Sequence, residues 1–385
     1  MRVLLIATVT EDWIKYTPLN LLYLAGSRYK DDDVTIVDEN IVGRLAVYDE
    51  IRREYDEVGL SVLSTTRWDS FEMGGAVRRL SPKTKVVMGG VHASLVPDQC
   101  RVYANEVVKD DGIDEDVLDV EPRWDLIDLS KYPGKGITKY DFRKFNGIDL
   151  RNEPRVSVMG SRSCDLKCDF CSSWWLQGKY RMRDPVKMVD ELEMLNNKYG
   201  IKSFYFIDDS FYLDKARCLE FCEEVVKRGL PIAFLAQTKA EVIDKEYAEA
   251  LREAGCYRML VGVEGSSHPK SRGATQAIRN LKKAGICAEA LFIVGNVGET
   301  DATIEETRRW IKKAKPSLIY CSNGLLIYPG TKVYRDCLKS GEIDEKFWYT
   351  SVPVKTYRFS QSQIKKWRKR LLTHNTMGKL RYLLD

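Results

Sequence analysis

The sequence predicts an α/β fold in which two parallel-sheet domains follow one another and a helical tail closes the chain. Three observations carry this. Short apolar runs alternate with helix-patterned segments through the first 112 residues, as parallel pairing through helical crossovers requires. The same alternation restarts at Arg155 and runs for six units to residue 335. Between the two lies an acidic, turn-rich stretch poor in large apolar residues. The expected organisation is therefore an N-terminal domain at 1–112, a linker at 113–150, a partial barrel at 151–335 and a helical extension at 336–385. A chain of 385 residues exceeds the usual single-domain size, which agrees with two domains.

In the first domain, strands are expected at Val3–Ala7, Val34–Val37, Val58–Leu63, Lys85–Met88 and Val107–Val108, with helices at Leu19–Tyr29, Trp68–Leu80 and Val96–Ala104. Such an open, doubly wound, Rossmann-like sheet binds ligands at the carboxyl ends of its strands. Those ends carry Thr8-Val9-Thr10, Asp38-Glu39-Asn40, Ser61–Thr66 and Gly89-Gly90-Val91-His92-Ala93-Ser94. The glycine pair lets backbone approach a ligand, and the hydroxyls suit a polar tail. No Gly-x-Gly-x-x-Gly opens the first helix, which argues against a nicotinamide site. His92, one of three histidines, reads as a hydrogen-bonding loop residue in preference to a metal ligand.

The acidic stretch Asp110–Asp128, which leads into the linker, holds seven Asp and two Glu. Trp124 is expected to pin it, and the tract Tyr140–Asn146 to cover the mouth of the barrel that follows. Barrel strands are expected near 155–160, 202–208, 231–237, 257–263, 288–295 and 317–325, and helices near 185–199, 214–229, 244–255, 274–285 and 301–314. In a TIM-like (β/α)6 barrel the site lies at the carboxyl ends of the strands.

The first of those ends runs into Cys164-Asp165-Leu166-Lys167-Cys168-Asp169-Phe170-Cys171. Three cysteines in eight residues do not form a disulfide framework. Their spacing suits a loop that points three thiolates at a metal centre. A zinc loop would need a fourth ligand nearby; a cubane iron–sulfur cluster held by three cysteines leaves one iron open to a small ligand. Later strand ends carry Asp208-Asp209, Gln237-Thr238-Lys239, Glu264-Gly265, Gly295-Asn296-Val297-Gly298-Glu299-Thr300 and Tyr328-Pro329-Gly330-Thr331. Adjacent carboxylates at a strand end need a cation to neutralise them, or else one serves as a helix cap. The other seven cysteines show no second cluster spacing, and Cys218 and Cys222, on one helical face, read as buried apolar residues. Trp174-Trp175 are expected to shield the loop. In the tail, Ile364, Trp367 and Leu371 recur at helical spacing with basic residues opposite, a helix packed on the barrel with a solvated face.

Composition is that of a globular protein, 44% hydrophobic and 30% charged. A net charge of +5 gives little reason to expect a nucleic-acid partner. Ten cysteines without a secretory leader point to a reducing, cytoplasmic setting. The apolar N-terminal run is far too short to cross a membrane.

Cys-x-x-x-Cys-x-aromatic-Cys, with Phe170 before the last cysteine, resembles the signature of radical S-adenosylmethionine enzymes. The resemblance implies a 4Fe-4S cluster on Cys164, Cys168 and Cys171, whose open iron is chelated by S-adenosylmethionine and which cleaves it to a 5′-deoxyadenosyl radical. It implies contacts to that cofactor from Phe170, Asp208, Asp209, Gln237, Lys239, Glu264, Gly295, Gly298 and Glu299. Lys239 stands where relatives carry arginine, Asn296-Val297 replaces their Leu-Pro, and the chain is shorter between Glu264 and Ala274. The N-terminal domain resembles the cobalamin-binding domain of the class B methyltransferase-like subfamily, as does the Pro-x-Trp-Asp-Leu stretch at Pro122–Leu126. Thr17, Leu19, Ser61, Ser64, Thr65, Gly89, Gly90 and His92 are then the expected cobalamin contacts. The Asp-x-His-x-x-Gly loop is missing, which argues against histidine ligation of cobalt, and Lys109–Asp114 replaces the relatives' Gly-Glu-Gly-Glu turn. The implied reaction is methyl transfer to an unactivated carbon of a small molecule or peptide, with no catalytic residue beyond the cofactor ligands. A flavodoxin or ferredoxin would supply electrons to a monomeric enzyme. The alternatives are radical cyclisation or rearrangement without methylcobalamin and, in another class, a non-catalytic metal-binding or electron-transfer protein.

Overall fold

The computed structural model describes residues 1–9, 16–109, 118, 120–132, 144–265, 268, 271–349 and 356–372. Contacts divide the chain into two compact units. The first comprises the described residues of Met1–Ile137, Asp165–Tyr180 and Tyr328–Val354, the second those of Thr138–Cys164, Arg181–Ile327 and Lys355–Asp385. The division differs from the contiguous one expected from sequence, because two later segments belong with the first.

The first unit contains β1 (Arg2–Ala7), α1 (Leu19–Gly26), β2 (Asp33–Asp38), α2 (Glu39–Val42), α3 (Arg44–Ile51), β3 (Glu57–Ser61), α4 (Arg67–Leu80), β4 (Lys85–Gly89), α5 (Val91–Leu95), α6 (Pro97–Arg101) and β5 (Glu106–Val107). The five strands are parallel in the order β2-β1-β3-β4-β5, so the chain reverses direction across the sheet between β1 and β3. Crevices at such reversals are where doubly wound sheets take ligands. Val3 to Ile6 are fully buried, as expected of a central strand covered on both faces.

The helices here depart from expectation at two places. The helix expected at 96–104 is the shorter α6, and a separate helix, α5, precedes it, because Pro97 keeps Val96 out of helical geometry (φ −134°, ψ 59°) and starts a new helix as its first residue. Helices α2 and α3 were not anticipated; Asp38 caps α2 by accepting the Asn40 N–H, and Gly43 at φ 81° makes the turn between them.

The second unit contains β6 (Arg155–Val158), β7 (Ser161–Arg162), β8 (Arg181–Met182), α8 (Pro185–Tyr199), β9 (Ser203–Phe206), α9 (Lys215–Lys227), β10 (Ala233–Lys239), α10 (Lys245–Glu253), β11 (Cys256–Glu264), α11 (Ala274–Lys283), β12 (Cys287–Phe292), α12 (Asp301–Ala314), β13 (Leu318–Cys321) and α14 (Gln361–Leu372). Between β7 and β8, α7 (Ser173–Leu176) belongs to the first unit, as does α13 (Lys332–Lys339). Six parallel strands follow the order β6-β9-β10-β11-β12-β13, each crossover carrying a helix. The helices begin where caps dictate. Asp184 accepts the N–H groups of Val186 and Lys187 ahead of Pro185, and left-handed Gly200 ends α8. Thr300 and Thr303 form a reciprocal capping box for α12.

The turn at Phe145–Ile148 packs on Ala233, Leu235 and Tyr257, at the amino-terminal ends of β10 and β11. The described part of the tract expected over the barrel mouth therefore closes the opposite end, because its Phe145, Ile148 and Leu150 follow apolar surface there; 140–143 lie outside the described residues. In the tail, α14 forms as expected, burying Ile364, Trp367 and Leu371. Among the described residues no helix is long and apolar enough to cross a membrane.

Candidate functional site

In a parallel sheet, residues paired across strands share a face. Lys239, Gly262, Leu291 and Tyr320 form one such row near the carboxyl ends of β10 to β13. Their neighbours Thr238, Val261, Ala290 and Ile319 point the other way and are buried. Tyr320 stays 45% exposed, and Lys239, Gly262 and Leu291 are half-buried, so this row is an accessible wall. One layer down, Gln237 aligns with Leu260 and Glu289. Deeper still, Arg258 donates to Glu289 at 2.9 and 2.6 Å, an ion pair withdrawn from water.

Glu264 ends β11 at a register shift, with φ 63° and little exposure. A left-handed glutamate is strained, and such outliers concentrate at functional sites. Ser163, fully buried at φ 69°, is another, immediately before Cys164. The antiparallel pairs Ser161–Met182 and Arg162–Arg181 clamp the neck of the cysteine loop. Arg183 secures that neck: its N–H donates to Gly160 O at 2.9 Å, and its guanidinium pairs with buried Glu191 of α8. The Cys164 Sγ lies 3.3 Å from Ser210 Oγ.

The adjacent carboxylates divide their roles. Asp208 is buried, accepting hydrogen bonds from Gly160 N–H (3.1 Å) and Ser161 Oγ (2.5 Å). Burial pushes its carboxyl up to about 7, against those hydrogen bonds. It ties the end of β6 to that of β9, a role sequence reasoning did not give it. Asp209 is half-buried, and its carbonyl accepts the Gln237 side-chain amide at 3.1 Å.

Glu299 serves the loop after β12. It accepts from Thr303 Oγ1 at 2.5 Å and from the Gly295 and Asn296 backbone, while burial raises its carboxyl. Gly295, at φ 81°, faces Phe359 and Ile364, whereas Gly298, at φ 76°, has open space where a side chain would stand.

In the first unit, Cys171 N–H donates to Cys168 O at 3.1 Å, and the intervening Asp169 O accepts the Val333 N–H at 3.1 Å. All three loop cysteines are half-buried thiols without disulfides, a donor set that fits an iron–sulfur cluster. Among the described residues no three His, Cys, Asp or Glu side chains are gathered so as to hold one metal ion. A cubane does not ask for that, since each thiolate binds a different iron.

At the carboxyl ends of β3 and β4, the expected contacts separate into exposed and withdrawn sets. Thr65 is exposed, Ser61 and Gly89 are half-buried, and Ser61 Oγ accepts from Asn20 at 2.9 Å. Thr17 and Leu19 are buried around the start of α1. Gly90 (φ 96°) packs on its own neighbours, Val62 and Ser61. His92 is fully buried, with Nδ1 3.2 Å from Ser64 Oγ and Nε2 2.8 Å from Gln99 Oε1, and burial lowers it to about 4. Both nitrogens are taken, so the imidazole braces the loop. Two residues here had no sequence signal. Trp348 lies 5.8 Å from the His92 ring, and buried Arg67 donates to Trp348 O (3.2 Å) and Ser64 O (2.7 Å). Their partnership spans 281 positions of chain, beyond any local pattern.

Residues 158–311 match the model of the Radical SAM superfamily. An uncharacterized methyltransferase of Pyrococcus horikoshii is 28% identical over 95% of this chain and 90% of its own length. The anaerobic magnesium-protoporphyrin IX monomethyl ester cyclase of Cereibacter sphaeroides is 33% identical, but over 53% of this chain and 33% of its own length. Among solved structures, the radical S-adenosylmethionine methyltransferase TsrM of Kitasatospora setae, with cobalamin and a [4Fe-4S] cluster bound, superposes with a TM-score of 0.68 at 19% identity, covering 96% of this chain and 85% of its own. That likeness is one of fold.

Proposed function

With a radical S-adenosylmethionine domain at residues 158–311 as premise, we propose that the chain is a cobalamin-dependent radical methyltransferase acting on an unactivated carbon. The observation that carries this is the three-cysteine loop of unbridged thiols ahead of β9, in a chain whose first unit is a 2-1-3-4-5 sheet. Cys164, Cys168 and Cys171 would hold the cluster. When bound, the cluster supplies the electron that splits S-adenosylmethionine, and the corrinoid supplies the methyl group.

The chain's own residues bind and orient. Asp209, Gln237, Lys239 and the open edge at Gly298 are the accessible groups for S-adenosylmethionine, Lys239 giving a charge without bidentate geometry, and Glu264, largely buried at the end of β11, would add its carboxylate. Asp208, Gly295 and Glu299 act behind them, holding strand ends and loop in place. Ser61, Thr65 and Gly89 fit a corrinoid held by hydroxyls and backbone; His92 does not ligate cobalt. The six-stranded sheet serves as the partial barrel, and the row ending at Leu291 and Tyr320 forms the substrate wall. The substrate is a small molecule or peptide, and a flavodoxin- or ferredoxin-like protein donates electrons.

Anaerobic reconstitution tests this. Protein with about four irons that yields 5′-deoxyadenosine on reduction and takes up a corrinoid supports the proposal. Cys168→Ala should abolish deoxyadenosine; unchanged product refutes the ligand assignment. The cyclase likeness favours one competing reading: iron loading and deoxyadenosine without corrinoid uptake would assign a radical cyclisation or rearrangement.

A further inference from the structure

The turn Tyr328–Thr331 lies at the end of the chain's barrel pattern, yet its contacts are to other parts of the first unit. It is internally fixed. Thr331 Oγ1 donates to Tyr328 O (2.7 Å) and accepts the Tyr334 N–H (3.1 Å), capping α13, and Arg335 donates to Gly330 O at 2.7 Å. Tyr328 stacks on Trp348 with ring centroids 6.2 Å apart and planes 12° from parallel. A turn held from so many sides is a rigid body.

Gly330 sits at φ 76°, and a side chain there would meet two groups from distant segments. Its Cβ would come within 3.0 Å of Leu95 Cδ2 and 3.2 Å of Trp175 Cζ3. Leu95 ends α5, the helix that starts at the Gly89-Gly90 loop of β4. Trp175 lies on α7, four residues beyond Cys171. Two residues past the turn's end, the Val333 N–H donates to Asp169 O, between Cys168 and Cys171, and Lys332 Nζ lies 3.5 Å from the Asp169 carboxylate. That ion pair is exposed and contributes little; the backbone bond and the Gly330 contacts fix position.

We propose that this turn is a positioning element. With Gly330 as its contact point, it locks the Cys168–Cys171 part of the cysteine loop against α5. Residue 330 must be small so that Leu95 and Trp175 can both approach it, and the N-terminus of α13 then sets the height of Asp169. Placement of the two cysteines is thus tied to the strand end of the N-terminal sheet, within one compact unit. The inference rests on the proposed cluster, and wild-type protein separates the two: failure to load iron refutes the cluster assignment itself.

The test compares wild type, Gly330→Ala, Leu95→Phe and the double variant Gly330→Ala/Leu95→Ala after anaerobic reconstitution. Iron content, melting temperature, the electron paramagnetic resonance spectrum of the reduced cluster with S-adenosylmethionine and deoxyadenosine formation are read for each. Gly330→Ala and Leu95→Phe should keep the wild-type iron content yet shift the g values, and deoxyadenosine formation should fall about 10- to 100-fold, as expected for displacement by a fraction of an ångström to one ångström. Removing the Leu95 crowding in the double variant should recover part of the wild-type spectrum. Should Gly330→Ala not fold, Leu95→Phe carries the same comparison. Loaded variants with wild-type spectra and rates, or with lowered melting temperature and no spectral change, overturn the proposal.

Discussion

At Asp208 the sign of a pH effect follows from burial. Its carboxyl, pushed up to about 7, holds a proton more tightly in the fold than in the unfolded chain, where an aspartate titrates near 3.8. The stability linked to it is therefore full below pH 4 and is lost as pH rises through 7. Asp208→Asn keeps an acceptor for Gly160 and Ser161 while removing the titration. The variant's melting temperature should fall less than the wild type's between pH 5 and 8, as followed by circular dichroism; parallel profiles would refute the assignment. His92 has the opposite sign. Lowered by burial to about 4, it contributes stability that is present above pH 6.5 and is lost as pH falls towards 4. Neither effect was legible in the sequence. The Asp-Asp pair and the lone histidine signalled a strand end and a loop, but burial, which decides which group braces and which meets a ligand, depends on segments far along the chain.

At the scale of elements, the pair Arg258–Glu289 joins β11 to β12 with both side chains almost wholly removed from water. Removing one partner leaves the other charge stranded, so Arg258→Ala should destabilise the fold by about 3–5 kcal/mol. Arg258→Met/Glu289→Leu, which strands nothing, should recover most of this loss. Denaturant unfolding measures both, and equal losses in single and double variants would show that packing volume, not charge, sets the cost. The strands themselves were largely legible, since apolar runs and caps such as Asp184 and Thr300 act locally. Each of the six expected barrel strands overlaps an observed one, and α8 and α12 occupy the expected residues. The short pair β7–β8 was not legible. Two residues a side carry no periodicity, and their pairing depends on Arg183 being held by Gly160 and Glu191. Helix α13 is illegible for a similar reason, its cap Thr331 lying in a turn whose residues signal a strand end.

At the scale of the whole molecule, the first unit draws on three separate stretches of chain. Residues 1–112, expected from sequence to be a domain, lack the side chains that finish its strand-end crevice. Trp348 is 1% exposed and supplies the carbonyl that accepts from Arg67, itself 2% exposed, while its ring covers His92. Without that segment the Arg67 guanidinium, already desolvated enough to lower its basicity, would lose an acceptor, and the indole's apolar area would be missing. A fragment of residues 1–132 should therefore unfold with a broad transition and bind a hydrophobic dye at temperatures where the intact chain does not. Trp348→Ala in the full chain reproduces the same lesion on a smaller scale and should cost about 3–5 kcal/mol, the usual range for emptying a buried aromatic site. The two measurements constrain each other. A fragment that melts as sharply as the intact chain, together with a Trp348→Ala variant of unchanged stability, would mean that the sheet is complete at residue 132 and that the later segment is only laid upon it. A destabilised fragment with a correspondingly weakened variant would assign the closing of the crevice to Trp348, and with it the reason a sheet of five short strands needs residues more than two hundred positions away to finish its core.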